Sequence, residues 1–197
     1  MKKFLVLTAM LLAVMTVKAQ NEEGEFSWMV KAGVNLSTMT GFSDSKMIPG
    51  FVGGFEVEYG LTDQLGLAAG VHGSMQGVKD NANDMKLMLT YTNIPLLVQF
   101  YPIKGLAFKT GVQPGFMMLK KAKIGGQKID IDNLENLTGI SSDFRSFDLA
   151  IPMGVSYEVV KFVFDVRYNI GLISAIKDGD GNRNGVLQMT VGYKFQF

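Results

Sequence analysis

The chain ends with LQMTVGYKFQF, residues 187–197, and the fold follows from this stretch. Apolar and polar residues alternate along it without a break. One ladder comprises Leu187, Met189, Val191, Tyr193, Phe195 and Phe197, and the other comprises Gln188, Thr190, Gly192, Lys194 and Gln196. Such alternation is typical of a β-strand with one face in an apolar medium and one in a polar medium. Chain termini usually fray, so an aromatic terminus raises the question of which apolar medium, protein core or lipid, this ladder meets.

The same alternation recurs along the rest of the chain and predicts eight strands. These lie at 26–37, 50–60, 65–76, 86–102, 106–118, 147–158, 162–172 and 187–197. The fourth is the least regular, and its phase is predicted to change near Pro95. A proline there indicates a bulge or a locally unpaired position.

The connections between these strands alternate in length. Three are tight, at 61–64, 102–105 and 160–161, and four are longer, at 38–49, 77–85, 120–143 and 174–185. Outer-membrane barrels have short periplasmic turns and longer external loops in this order. The pattern therefore predicts an all-β, eight-stranded, antiparallel up-and-down transmembrane barrel with both ends of the mature chain on the periplasmic side.

The first residues predict an export signal. Lys2 and Lys3 precede an apolar run, Phe4–Val17, and the small-residue pattern that follows predicts cleavage after Ala19. Residues 20–197 would then form one barrel domain in a Gram-negative cell envelope. No apolar run in that domain is long enough for a helical span. A membrane crossing would thus require a closed barrel, because lipid offers no hydrogen-bond partner to an open strand edge.

Composition excludes several other classes of protein. The 19 Lys and Arg residues nearly balance the 18 Asp and Glu residues, which argues against a nucleic-acid binder that relies on a basic surface. Cysteine is absent, so the chain has no disulfide, lipidated cysteine or thiolate metal site.

Glycines indicate which ladder faces inward. The polar ladders contain Gly33, Gly54, Gly66, Gly70, Gly111, Gly115, Gly154, Gly171 and Gly192. An eight-stranded barrel has an interior just wide enough for side chains, so small residues belong inside it. On a solvated outer face so many strand glycines would only weaken the strands.

Aromatic residues point the same way. The predicted threading brings ten of them to the rim formed by the tight turns: Phe26, Trp28, Tyr59, Tyr101, Phe108, Tyr157, Phe162, Tyr193, Phe195 and Phe197. A ring of aromatics at one level is the interfacial girdle of a membrane barrel. A soluble lipocalin-like barrel with the apolar ladder inside is the alternative.

The polar ladders also carry charges of both signs. The predicted lumenal charges are Lys31, Glu56, Glu58, His72, Lys109, Asp148, Glu158, Asp165, Arg167 and Lys194. Mixed signs allow mutual neutralisation, as buried charges require. The expected result is a filled, cross-linked lumen, with an open channel as the alternative.

Several stretches resemble the PorT-like outer-membrane β-barrel family of Bacteroidota. They are YTNIPLLVQFYP (Tyr91–Pro102), DVRYNIGLIS (Asp165–Ser174), the early KAGVNLS and the aromatic terminus. The resemblance implies an eight-stranded barrel with loops outside the cell and a final Phe that the outer-membrane assembly machinery reads. The founding member is associated with secretion across the outer membrane, but no motif here extends that role to this chain.

An outer-membrane enzyme would need a nucleophile next to a base, and the chain has a single histidine, His72, with Ser74 on the same ladder. Such neighbours lie about 7 Å apart on a strand, too far for a direct hydrogen bond.

A calcium loop is suggested by Asp178, Asp180 and Asn182, but Arg183 stands at the glycine position and Met189 at the bidentate Glu position. The sequence therefore predicts no catalytic, cofactor-binding or metal-binding residues.

The longest connection, 120–143, mixes charge with six Ile and Leu residues. It is expected to extend the neighbouring strands as a hairpin around Gly125-Gly126, followed by a helical turn at Asp132–Leu137, and it would either cap the barrel or bind a partner.

Taken together, these features predict a non-enzymatic outer-membrane barrel of structural or interaction type. Its predicted partners are outer-membrane lipid, the assembly machinery through the C-terminal strand, and an unidentified protein at the external loops; no nucleic acid or cofactor is expected. A small channel or a secretion or transport accessory is the alternative function.

Overall fold

A computed structural model describes residues 22–40, 45–80, 85–124, 127–130, 145–174 and 183–196. The predicted export signal and Phe197 lie outside these residues. Within the described ranges, no helix is long and apolar enough to cross a membrane.

All the regular structure in those ranges is β. The strands are β1 (Phe26–Met39), β2 (Ser45–Lys46), β3 (Ile48–Gly60), β4 (Leu65–Asp80), β5 (Met85–Asn93), β6 (Leu96–Ile103), β7 (Leu106–Ile124), β8 (Gln127–Asp130), β9 (Phe147–Val159), β10 (Phe162–Ser174) and β11 (Arg183–Gln196). Every pairing between them is antiparallel.

These strands close into the predicted eight-stranded barrel. Its wall runs β1, β3, β4, β5 with β6, β7, β9, β10 and β11, and β11 pairs with β1 to complete the ring. Trp28 lies opposite Phe195 at this seam, and Met39 opposite Asn184. The two strands nearest the chain ends are thereby paired along their whole length, which removes the open edge that lipid cannot satisfy.

The fourth barrel strand is interrupted where the sequence predicts it. β5 and β6 are separated by Ile94 and Pro95, which lie outside the ladder. The register on the two sides is nevertheless the same, because Asn93 pairs with His72 and Leu96 with Ala69. The predicted change of phase is wrong, since odd-numbered residues from Leu89 to Tyr101 face inward throughout. Three inward-facing residues of this strand, Leu89, Tyr91 and Leu97, are apolar or aromatic and not polar. The strand therefore lacks the regular polarity pattern from which the phase was predicted.

The apolar ladders face outward, as predicted. Val30, Phe55 and Phe164 are among them, with exposed fractions of 52%, 53% and 50%. The residues between them are buried and largely polar. The soluble lipocalin-like alternative is therefore wrong, because the barrel presents its apolar surface to the surroundings and its charges to the lumen.

Aromatic residues form a girdle at the tight-turn rim. Phe26 contacts Tyr59 with ring centroids 4.5 Å apart, and Trp28 stacks on Phe195 at 4.2 Å. The assignment of Tyr101 to this girdle is wrong, since its side chain is buried in the lumen. Its neighbour Phe100 faces outward instead, because the phase of β6 is opposite to the predicted one.

At the opposite end of the barrel the strands run further than predicted. β4 continues to Asp80 and β5 starts at Met85, so most of the predicted loop 77–85 is strand. The predicted hairpin in 120–143 is confirmed, because β7 runs to Ile124 and pairs with β8. We call residues 45–46, 78–80, 85–87, 120–124 and 127–130 the extension. The expected helical turn at 132–137 lies outside the described residues.

Lumenal glycines lie opposite the longest lumenal side chains. Gly54 is paired with both Lys31 and His72, and Gly154 with both Lys109 and Arg167. A Cβ at Gly54 would come within 2.1 Å of the Val71 carbonyl oxygen. Glycine is required at these positions because neighbouring backbone approaches closely, which leaves the interior to the charged chains.

Candidate functional site

The lumen holds a buried cluster of charges on six different strands. Among the described residues, the cations Lys31, Lys109, Arg167 and Lys194 face the carboxylates Glu56, Glu58, Glu158 and Asp165, and all eight are buried. The alternating pattern of each strand turns its charged residues inward, and barrel closure brings them together. Four positive and four negative groups balance, as the sequence predicts for a filled lumen.

Glu56 is the centre of one half of this cluster. Lys31 Nζ donates a hydrogen bond to Glu56 Oε2 over 2.8 Å, and Arg167 Nη2 lies 3.5 Å from the same oxygen. Arg167 Nη2 also donates to Asp165 Oδ2 over 2.9 Å. Lys109 Nζ is 3.3 Å from Asp165 Oδ2 and 3.8 Å from Glu56 Oε1. These contacts cross-link β1, β3, β7 and β10 through the barrel interior.

The second half of the cluster lies nearer the tight-turn rim. Lys194 Nζ donates to Glu158 Oε2 over 2.7 Å and also contacts Glu58 Oε2. Gln99 Nε2 donates to Glu58 Oε1 over 2.6 Å, and Tyr101 Oη donates to Gln99 Oε1 over 2.9 Å. Lys109 lies between the halves, 3.9 Å from Glu58 Oε1. The cluster is therefore one continuous network.

His72 and Ser74 do not form a catalytic pair. His72 Nε2 is 3.6 Å from Glu56 Oε2, and neither ring nitrogen has a hydrogen-bond partner in the described part of the chain. Ser74 Oγ instead accepts hydrogen bonds from Asn35 Nδ2 at 2.9 Å and Gln76 Nε2 at 3.2 Å. Both side chains are buried inside the barrel, so the arrangement lacks the nucleophile–base contact that acyl transfer requires.

Towards the extension the lumen is lined mainly by uncharged polar side chains. A cavity of about 10 Å³ there is lined by Gln76, Asn93, Gln113, Asp148, Ala150, Asn169, Asn184 and Val186. A cavity of that size holds about one water molecule. Asn184 Nδ2 donates to Asp148 Oδ2 over 3.0 Å at its edge. Asp148 thus lies in the lumen as predicted, but apart from the main cluster and only partly buried.

Among the described residues, twelve buried polar atoms in the lumen have no hydrogen-bond partner in that part of the chain, including His72 Nδ1, Arg167 Nε and Thr190 Oγ1. Buried polar groups of this kind are normally satisfied by ordered water. Ordered water between the lumenal side chains would therefore satisfy these atoms.

The calcium hypothesis gains no support from the described part of the motif. Asp178, Asp180 and Asn182 lie outside the described residues, while Arg183 begins β11 and Met189 faces outward on it, paired with Val34. Within the described ranges, no three His, Asp or Glu residues are grouped so that they could hold a metal ion.

One groove lies on the outer face of the barrel. It has a volume of about 380 Å³ and runs between outward residues of β3, β4 and β6, among them Val57, Leu67, Ala69, Leu96 and Val98. Its lining is almost wholly apolar, in keeping with a surface that meets lipid chains.

A closed barrel with an apolar exterior, an aromatic girdle and a charge-filled lumen defines an integral outer-membrane protein. Comparison with known families agrees: residues 18–177 match the model of the outer membrane protein beta-barrel domain, and the chain belongs to that family. Membership supports a location in the outer membrane. No curated protein sequence matches the chain.

Solved structures share the fold at low identity. Ail, the attachment invasion locus protein of Yersinia pestis, in complex with the heparin analogue sucrose octasulfate, is 18% identical with a TM-score of 0.54, over 88% of this chain and 99% of that one. Neisserial surface protein A is 19% identical with a TM-score of 0.50, over 88% of this chain and all of that one. At such identity the likeness establishes the barrel fold alone.

Proposed function

We propose that this protein is a non-conducting outer-membrane barrel of structural or interaction type, which acts through its external end and not through its lumen. The observation that carries the proposal is the lumenal network. Lys31, Lys109 and Arg167, on three other strands, all contact Glu56, and Lys194 joins Glu58 to Glu158. A lumen crossed by paired charges in fixed positions serves to hold the wall together.

The external end of the barrel, unlike the lumen, has projecting segments that a partner could contact. Outer-membrane barrels direct their longer connections out of the cell, and here the extension lengthens the wall on that side. Projecting segments with structure of their own are frequently functional. Ail, which shares the fold, takes its name from attachment and was crystallised with a heparin analogue. By analogy, we take the external end of this chain as its interaction surface.

Conductance separates this proposal from the channel alternative. Purified protein in planar bilayers is expected to give no discrete current steps, because charged side chains fill the lumen. As a positive control, the double variant Glu56→Gly with Arg167→Gly should widen the path through the lumen and produce conductance steps. Regular conductance steps from the unaltered protein would instead support a channel or transport accessory and overturn the proposal.

Deletion of residues 125–139 tests the interaction surface. The shortened protein should keep its heat-modifiable gel migration, which reports a folded barrel, and should lose partners that the full chain captures from outer-membrane extracts. A matched control removes the tight turn residues Thr62 and Asp63 at the other rim and should leave capture intact. Unchanged capture by the shortened protein would contradict the proposal.

Three finer assignments belong to the same proposal: membership of the PorT-like group, cleavage after Ala19 and recognition of the terminal strand by the assembly machinery. The alternation of β11 and its pairing with β1 support the last of these. Replacing Phe197 with Ser should lower the outer-membrane yield without changing the stability of the folded fraction. Replacing the girdle residue Phe162 with Ser is the control, and equal yields for the two variants would contradict a special role of the terminus.

A further inference from the structure

The small polar cavity towards the extension is lined by one oxygen-bearing side chain from each of six barrel strands. Closure of the barrel gathers these side chains around one space, although they are spread over more than half of the chain. They are Gln76 of β4, Asn93 of β5, Gln113 of β7, Asp148 of β9, Asn169 of β10 and Asn184 of β11. We call these six residues the oxygen cluster.

The amide nitrogens of the cluster are directed to protein acceptors. Gln76 Nε2 donates a hydrogen bond to Ser74 Oγ over 3.2 Å, and Asn184 Nδ2 donates to Asp148 Oδ2 over 3.0 Å. A carboxylate only accepts hydrogen bonds, so its contact fixes the orientation of the Asn184 amide. The oxygen ends of such amides are left for the cavity.

Two amide oxygens of the cluster have no partner in the described part of the chain. They are Gln113 Oε1 and Asn169 Oδ1, and both side chains are only 4% exposed. The nitrogen of the Asn169 amide donates to Gln188 Oε1 over 3.4 Å, which leaves its oxygen on the other side. A buried acceptor without a donor is costly, so these oxygens require something positive or a donor between them.

Asp148 adds a negative charge that the main lumenal cluster does not balance. Four cations and four carboxylates already offset one another there. The Asp148 carboxylate accepts hydrogen bonds from Asn184 Nδ2 and from the backbone N–H of Leu149, and among the described residues no Lys or Arg nitrogen lies within 4 Å of it. A carboxylate inside a protein is stabilised by a positive charge close by. One monovalent cation would complete the balance.

A glycine leaves room for two members of the cluster to approach each other. Gly115 pairs with Asn93 on one side and with Asp148 on the other. A Cβ at Gly115 would lie 2.7 Å from Asn93 Oδ1 and 3.6 Å from Asp148 Cβ. Without that Cβ, an amide oxygen and a carboxylate share the same part of the lumen.

The size and the lining of the cavity together favour an ion over a water molecule. Its volume of about 10 Å³ holds one water or one ion of similar size. A water molecule donates only two hydrogen bonds and would leave the charge of Asp148 unbalanced. Carboxylate and amide oxygens are the ligands that hard cations prefer. A divalent ion would leave one positive charge in excess, whereas Na⁺ balances the site.

We propose that the oxygen cluster binds a single Na⁺ ion, which ties six strands together at the external end of the lumen. Asp148 lies next to the start of β9 and is only partly buried, so an ion can reach the site from the external mouth. The inference does not depend on what the external end captures. It is also independent of conductance, because an ion held at one site needs no path to the other side.

The test compares unfolding of the full chain by urea in phosphatidylcholine vesicles that contain NaCl or choline chloride at equal ionic strength. Choline is too large for the cavity, so the comparison removes general effects of salt. Broadening of the sodium NMR signal by the folded protein should saturate and thereby give the Kd. Na⁺ at ten times this Kd should multiply the folding equilibrium constant about elevenfold, because the ion binds the folded chain only.

Three variants make the test specific. Asp148→Asn keeps an acceptor for Asn184 but removes the charge, so it should lose the response to Na⁺ yet unfold no more readily than the unaltered protein in choline chloride. Asp63→Asn removes the same charge at a tight turn and should keep the response. Gln113→Met removes an oxygen but no charge, and it should raise the Kd at least about tenfold, since even groups that only position metal ligands contribute that much. Heat-modifiable migration verifies folding of each variant.

Three outcomes would overturn the inference. One is equal unfolding of the unaltered protein in NaCl and in choline chloride. Another is an equal loss of response in Asp148→Asn and Asp63→Asn, which would make the response a matter of total charge. The third is stabilisation by CaCl₂ at the same ionic strength with none by NaCl, which would contradict the balance of a single charge.

Discussion

The lumen and the outer face of the barrel differ in where their side chains find partners. In the lumen, each of the four described cations lies within 4 Å of a carboxylate, and Arg167 and Lys109 each contact both Asp165 and Glu56. On the outer face, apolar side chains such as Phe55 and Phe164 are about half exposed. A buried charge has no water to stabilise it and must find its partner within the chain. An apolar side chain on the outside of a membrane barrel meets lipid instead.

The difference separates residues that hold the barrel together from residues that face lipid. The lumenal cations and carboxylates balance one another within the chain, which argues for a structural lumen. Each of the following changes alters the lumenal side of this contrast and is compared with a control, from the largest expected effect to the smallest.

Removing Arg167 should have the largest effect. Arg167→Met leaves Asp165 and Glu56 buried with less positive charge around them, and loss of one partner of a buried pair costs about 3–5 kcal/mol. Urea unfolding from lipid vesicles measures the change in free energy of unfolding. Arg167→Lys keeps the charge and should recover part of the loss. A change of less than 1 kcal/mol for Arg167→Met would mean that the network does not stabilise the barrel.

Adding one methyl group at a lumenal glycine should have the next largest effect. A Cβ at Gly154 would lie 2.7 Å from the Val166 carbonyl oxygen, so Gly154→Ala should lower the free energy of unfolding by about 1–3 kcal/mol. Gly73 faces outward, where a Cβ would meet nothing closer than 3.9 Å. Gly73→Ala should thus be neutral or stabilising by about 0.5 kcal/mol. Equal losses at the two sites, in the same unfolding assay, would contradict the role assigned to lumenal glycine.

Tyr101→Phe removes one hydroxyl from the network. Its hydrogen bond to Gln99, which in turn donates to Glu58, contributes about 1 kcal/mol. Tyr157→Phe on the outer girdle should change the free energy of unfolding by less. If the outer substitution proved the more damaging, the inward assignment of Tyr101 would be in doubt.

The sequence predicts the barrel so well because period-2 alternation is a local property. Each strand can be assigned by itself, and glycine and charge on one ladder against aromatics on the other indicate which face meets lipid. All ten predicted lumenal charges do lie inside. The errors are local as well. Because Leu89, Tyr91 and Leu97 face the lumen, the polarity pattern predicted the wrong phase for the fourth barrel strand and placed Tyr101 on the outer face.

The register between paired strands could not be predicted from the sequence, because it depends on how one strand lies against another that is distant along the chain. Only the closed barrel shows that Arg167 bridges Asp165 and Glu56, and that Gly154 lies opposite Arg167. The ending LQMTVGYKFQF determined by itself that one face of a strand meets an apolar medium. That β11 closes the ring on β1, and that its Lys194 meets Glu58 and Glu158, was decided by tertiary structure, because both depend on the pairing of strands from opposite ends of the chain.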